Sequence, residues 1–134
     1  MNIVLWILQI LLALAFLAHG WLFISPPPDL VDVMNAAFAP AFRIFLGVAE
    51  LLGAIGLILP TLTRIQPWLT PVAAVALSLV VGSATVLHLN RGEFSSAVTT
   101  GILCVLLLFV ATMRWRGNIT SPRNAPATSE HFWA

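Results

Sequence analysis

Four long, mainly apolar runs, each about the 20 residues needed to cross roughly 30 Å of hydrocarbon, constrain this chain more than any other feature. They cover about residues 3–24, 41–62, 67–89 and 94–115. Backbone amides in lipid must be satisfied within the structure, so a spanning segment is a helix or a strand of a closed barrel. None of the runs alternates with the two-residue period of barrel strands. The sequence therefore predicts an all-α protein: an integral membrane antiparallel four-helix bundle over residues 1–116, followed by a loosely ordered tail, 117–134, rich in Pro, Ser, Thr and Asn. Of the 134 residues, 60% are hydrophobic and only 8% charged, which excludes a soluble domain. The first run lacks a basic leader and a small-residue cleavage site, so it reads as a retained span and not a signal peptide.

Four spans put both termini on one side of the membrane. Arg64, Arg114, Arg116 and Arg123 lie on that side, Arg43 and Arg91 on the other. The positive-inside rule then predicts cytoplasmic N and C termini, in a bacterial inner membrane. Trp21, Trp68 and Trp115 fall near span ends, where indole rings favour the interface. In the first loop, Pro26 to Pro28 must end the first helix, and Asp29 is placed to cap a short amphipathic helix carrying Leu30, Val33, Met34 and Phe38 on one side. The other loops, TLTRIQP and NRGE, are tight, as antiparallel neighbours require.

Glu50 stands inside the second span, in RIFLGVAELLGAIGLILP. A charge at that depth costs about 2.5–3.5 kcal/mol on insertion scales and is kept only where something pairs with it. At 100° per residue, Arg43, Gly47, Glu50 and Ala54 share one helix face, while Ala49, Gly53, Gly56 and Pro60 form a second, small-residue face suited to close helix contact.

Other polar residues fall in the same half of the bilayer. His19, Arg43, Glu50 and His88 lie within it, Arg91 and Glu93 at its lip, and Glu93, Ser96, Thr100 and Cys104 form a stripe descending the fourth span. Ser78 and Thr85 add to the third, whereas the opposite half holds Gln9 as its main polar residue. The expectation is a polar pocket within the bundle, open outward, with Glu50, His88 and His19 as acid–base groups and Arg43, Arg91, Glu93, Thr100 and Ser96 as substrate-binding groups. A structural reading stands beside each. Glu50 could simply lock to Arg43 or Arg91, the histidines could be interfacial, Cys104 could be packing, and membrane Ser and Thr commonly bond their own backbone.

Six arginines, no lysine and a net charge of +1 leave no basic patch for nucleic acid. The single cysteine, Cys104, excludes both an intrachain disulfide and a Cys-x-x-Cys pair, so electron chemistry would belong to a bound cofactor or a partner. No nicotinamide, flavin or iron–sulfur signature is present, and no metal site is predicted. A haem held between His19 and His88 ranks below other ligands because nothing in the sequence sets their helices face to face.

Taken together, LWILQILLALAFLAHG in the first span, R-x-x-L-G-V-A-E-L-L-G-A-I-G-L-I-L-P from Arg43 to Pro60, LTPVAAVALSLVVGSATVLHL in the third and H-L-N-R-G-E from His88 to Glu93 resemble the DoxX-like family of small four-helix membrane proteins. The resemblance covers about residues 4–116. It implies a four-helix bundle and, for some relatives, respiratory or sulfur-linked quinone chemistry, as in the small subunit of thiosulfate:quinone oxidoreductase. Distant similarity to the non-enzymatic acetylcholine-receptor chaperone is implied as well. Three functions follow as expectations. The first is binding of a quinone or other lipophilic small molecule as part of a membrane redox system, with Glu50 exchanging protons and a partner redox protein or a second copy of the chain alongside. The second is a self-contained isomerase or hydrolase using Glu/His acid–base chemistry. The third is a non-catalytic assembly factor. A small multidrug exporter fits less well, since such proteins carry their carboxylate in helix one, and this chain has no acid there and no Tyr for an aromatic cage.

Overall fold

A computed structural model describes residues 2–120. The described chain forms α1 (Asn2–Ile24), α2 (Pro28–Ala37), α3 (Pro40–Thr63), α4 (Leu69–Asn90) and α5 (Phe94–Ile119), with no strand among the described residues. Four of these, all but α2, are long and apolar enough to cross a bilayer. Proline sets two of the helix starts. Pro28 and Pro40 occupy the first turns of α2 and α3, where a missing N–H removes nothing the helix would have used. The N-cap of α2 is consequently Pro27, and Asp29 lies within the first turn, not at the cap the sequence assigned it, where its charge still complements the helix dipole. Phe38 ends α2 in an extended conformation.

The two short turns differ in chemistry. Between α3 and α4 the chain reverses through Arg64 and Gln66, both at positive φ (58° and 48°). Between α4 and α5, Gly92 supplies a φ of 72°, and the Glu93 amide closes onto the His88 carbonyl at 2.9 Å. Helix α5 runs on to Ile119, beyond the limit near Trp115 that the sequence drew, because the arginine-bearing turn after Trp115 keeps its ladder. The rest of the expected tail, residues 121–134, lies outside the described residues.

Packing makes two antiparallel hairpins that close into a ring. α1 packs chiefly on α3, α4 on α5, and α3 joins the hairpins through α4, while α1 touches α5 more lightly. One end of the ring carries α2 and the α4–α5 turn, and the other carries the start of α1 and the end of α5. Leu12, Phe16, Leu57, Leu77, Leu107 and Val110 fill the interior. Outward faces hold Ile3, Phe45, Leu52, Leu79 and Val105, all largely exposed. Large apolar side chains pointing away from the core on every long helix are what a lipid solvent selects, and the protein is an integral, multi-pass membrane protein.

Glycines govern the helix separations. A Cβ on Gly20 would sit 2.8 Å from the Gly47 carbonyl oxygen, and one on Gly47 would sit 2.7 Å from that of Gly20, so α1 and α3 meet backbone to backbone. The second small-residue face of α3 is used by α4. A Cβ on Gly56 would lie 2.7 Å from Ala73 Cβ, and one on Gly53 would run into the Leu77 side chain.

Candidate functional site

The backbone contact at Gly20 and Gly47 determines what happens beside it. His19 precedes Gly20 and Glu50 follows Gly47 by one helical turn, so the two side chains are brought across the α1–α3 seam. His19 Nδ1 lies 2.6 Å from Glu50 Oε2, a charge-assisted distance. Glu50 is eleven residues into α3, close to the middle of the helix, and its side chain is only 4% exposed, whereas that of His19 is 52% exposed. The carboxylate is therefore the hidden member of the pair and the imidazole its outward face. With Nδ1 engaged, Nε2 is the free ring nitrogen, and it has no hydrogen-bond partner among the described residues.

The pairing departs from the structural lock weighed for Glu50. Neither Arg43 nor Arg91 reaches it. Arg43 is buried, but its Nη1 donates to the Phe23 carbonyl, one of the last carbonyls of α1 and thus without a helical partner, while its Nε has none. Arg91 stacks over the Phe38 ring, 5.9 Å from the centroid. A row of rings leads away from the pair: His19 to Phe23 at 4.6 Å, then Phe23 to Phe38 at 6.1 Å and Phe38 to Phe42 at 6.1 Å. The amphipathic α2 thus brings Phe38 against α1 and α3 at the same end of the bundle.

The remaining polar candidates sit on a different seam. His88 Nδ1 lies 2.5 Å from Glu93 Oε2 across the turn from α4 to α5, in a pair reaching water. Thr85 Oγ1 lies 2.8 Å from both Thr100 Oγ1 and the Val81 carbonyl oxygen, its one proton shared between them, and Thr100 donates back to the Ser96 carbonyl. Ser78 bonds Val75 O, and Cys104 Sγ is 3.5 Å from the Ser78 carbonyl. Ser96, placed in the polar stripe, contributes its carbonyl to Thr100. The structure thus brings His19 to Glu50, sets Arg43 two turns before Glu50 on α3, and distributes His88, Glu93, Ser96 and Thr100 along the α4–α5 contact.

Two groups escaped the sequence reading. Phe23, beside His19, gave no signal, because an aromatic residue in an apolar span looks like a lipid-facing one, and Phe38 was read only as part of the apolar side of the short helix. At the far end of the bundle, Gln9 is fully buried, donating to the Leu57 carbonyl one turn before Pro60 and accepting from Arg114 Nε at 2.6 Å. The signal for that contact existed, a lone Gln in an apolar run, but nothing in the spacing named its partner.

A carboxylate and an imidazole poised at 2.6 Å within an apolar bundle can hold or pass one proton and can present one hydrogen bond to a molecule lying in the lipid. Among the described residues no group of three metal-ligating side chains converges. Comparison with curated proteins gave no match, and comparison with solved structures gave none. The family comparison did: residues 7–110, from the first turns of α1 through most of α5 and including both His19 and Glu50, match the DoxX-like family, and the chain belongs to it.

Proposed function

We propose that the protein binds a lipophilic small molecule of the quinone class at the His19–Glu50 pair and exchanges protons with it as part of a membrane redox system. The observation that carries this reading is the asymmetry of the pair, a carboxylate 4% exposed behind an imidazole 52% exposed. A polar head in the bilayer can approach His19 Nε2 without entering the bundle, while Glu50 holds Nδ1 and fixes the ring. Phe23 and Phe38 offer ring faces on which a planar head group packs. Reduction of a quinone to a quinol takes up two electrons and two protons. The pair handles protons, and a partner redox protein supplies the electrons.

The orientation that agrees with this reading puts the α2 end outward and both termini in the cytoplasm of a bacterial cell. A self-contained hydrolase is less well supported, since the arginine that would receive an oxyanion, Arg43, is turned to the Phe23 carbonyl. An assembly role would need a free small-residue face, and α4 already occupies Gly53 and Gly56.

Mass spectrometry of organic extracts from gently purified protein tests the proposal, comparing wild type with Glu50→Gln at matched thermal stability. The amide keeps the shape of the carboxyl and a hydrogen bond to His19 but cannot exchange the proton. A quinone retained by wild type and lost from the variant is the expected result. Extracts without a specific lipophilic molecule, together with a large stability loss in the variant, would make the pair structural.

A further inference from the structure

The end of the bundle opposite the His19–Glu50 pair has the reverse electrostatics. Arg114, one and a half turns before the end of α5, makes three contacts, all with uncharged groups. Nε donates to Gln9 Oε1 at 2.6 Å, Nη1 donates to Asn2 Oδ1 at 3.0 Å, and the guanidinium lies 5.4 Å from the Trp6 ring centroid. Its Nη2 is buried without a hydrogen-bond partner. The acids among the described residues, Asp29, Asp32, Glu50 and Glu93, lie in α2, in mid-α3 or at the α4–α5 turn, none of them at this end. A guanidinium cannot shed its proton, so its charge here is held by amides and a ring and, among the described residues, by no counter-charge.

A hollow of about 420 Å³ opens beside it, between the start of α1, the end of α3 and the last turns of α5. Its walls include Arg114 and Arg116 as the charged groups, with Asn2, Thr61, Asn118 and Thr120 as further polar groups, and no carboxylate among the described residues. Exposed Trp68 and Trp115 at the same end mark the level of the membrane interface. Basic hollows between spanning helices at that level are where phosphate-bearing head groups bind.

We propose that this hollow is an anion site, taking the phosphate of a net-anionic phospholipid such as phosphatidylglycerol, or free phosphate, with Arg114 and Arg116 as its positive walls. The bound phosphate supplies the counter-charge that Arg114 lacks among the described residues, and binding reinforces the light contact between α1 and α5. The site is independent of the His19–Glu50 pair and stands or falls apart from it.

Full-length protein in phosphatidylcholine nanodiscs, with and without phosphatidylglycerol, provides the test, with thermal stability and lipid retained on native mass spectrometry as readouts. Arg116→Gln serves as the second variant because the Arg116 side chain makes no hydrogen bond or ion pair among the described residues, whereas Arg114→Gln alters the Gln9 and Asn2 bonds as well. Expected is preferential retention of phosphatidylglycerol by wild type and retention roughly fivefold weaker in Arg116→Gln, with Arg114→Gln weaker still. Inorganic phosphate added to phosphatidylcholine nanodiscs separates the sources: stabilisation that depends on Arg116 assigns free phosphate, and its absence alongside phosphatidylglycerol retention assigns the lipid. Equal retention of the two lipids with no effect of phosphate overturns the proposal, as does retention unchanged in both arginine variants. A loss of phosphatidylglycerol preference on removing residues 121–134 while both arginines remain would also overturn it, since the anion would then depend on the tail.

Discussion

The two hairpins of the bundle use their polar side chains in opposite ways. Along α4–α5, hydroxyls bond their own helix or each other, as in Thr85 to Val81 and Thr100, and the ion pair His88–Glu93 joins residues five apart at a wet turn. Along α1–α3, the polar pair joins residues 31 apart, one of them almost wholly buried, and it is reached only because two glycines let the backbones touch. The lesson concerns what polarity in a membrane helix signifies. A hydroxyl has a partner in its own backbone and needs no neighbour. A buried carboxyl has none there, so its position is decided by tertiary contact and marks where the fold has been shaped around a group.

That contrast breaks most readily at the glycines. Gly47→Ala places a Cβ 2.7 Å from a backbone carbonyl oxygen that cannot turn aside, so it should cost about 2 kcal/mol or more in reversible unfolding from detergent. Gly82→Ala, whose Cβ would meet Cys104 Sγ at an ordinary 3.7 Å, should change stability by less than about 0.5 kcal/mol. Equal costs at both sites would remove the distinction between the seams. Double-mutant cycles sharpen it next. His19→Leu with Glu50→Leu should show a coupling of about 1–2 kcal/mol, against about 0.6 kcal/mol or less for Thr85→Val with Thr100→Val, where each hydroxyl keeps its own backbone bond. The smallest effect belongs to Glu93→Gln. The partly exposed His88–Glu93 pair should lose under about 0.5 kcal/mol, diminishing further in high salt, and a larger loss would place that pair with the buried one.

Much of the architecture was legible from the chain alone. Length and hydropathy of the runs give the four spans, and the spacing of Ala49, Gly53, Gly56 and Pro60 marks a side of α3 for close helix contact, because small residues on one face have few other uses in lipid; that α4 takes it is known only from the packing. The short α2 was visible in its apolar spacing. Its start was misassigned by two residues because Asp29 looks like an N-cap until Pro28 is seen to fit the first helical position. The site was half legible. Glu50 announces itself by its cost, but its partner does not. Periodicity ranks faces within one helix and says nothing of which helices adjoin, so His19 and His88 were equivalent in the sequence and only packing separates them. The Gly47 contact was hidden for a related reason, as it lies on the same face as Glu50 and was read as part of a chemical face and not as the point of closest approach.

The bond from Arg114 to Gln9 joins residues 105 apart, nearly the whole described chain. Synthesis runs in one direction, so α1 enters the bilayer with a glutamine and a histidine whose partners do not yet exist. His19 waits for the second spanning helix, and Gln9 is satisfied on its carbonyl side only when the last has arrived. Insertion of α1 therefore rests on its apolar residues alone. Until α5 is delivered, an amide oxygen near the start of the chain stays unmet in lipid. An interrupted protein therefore carries the mark of its incompleteness in its first helix, as an amide oxygen without its guanidinium.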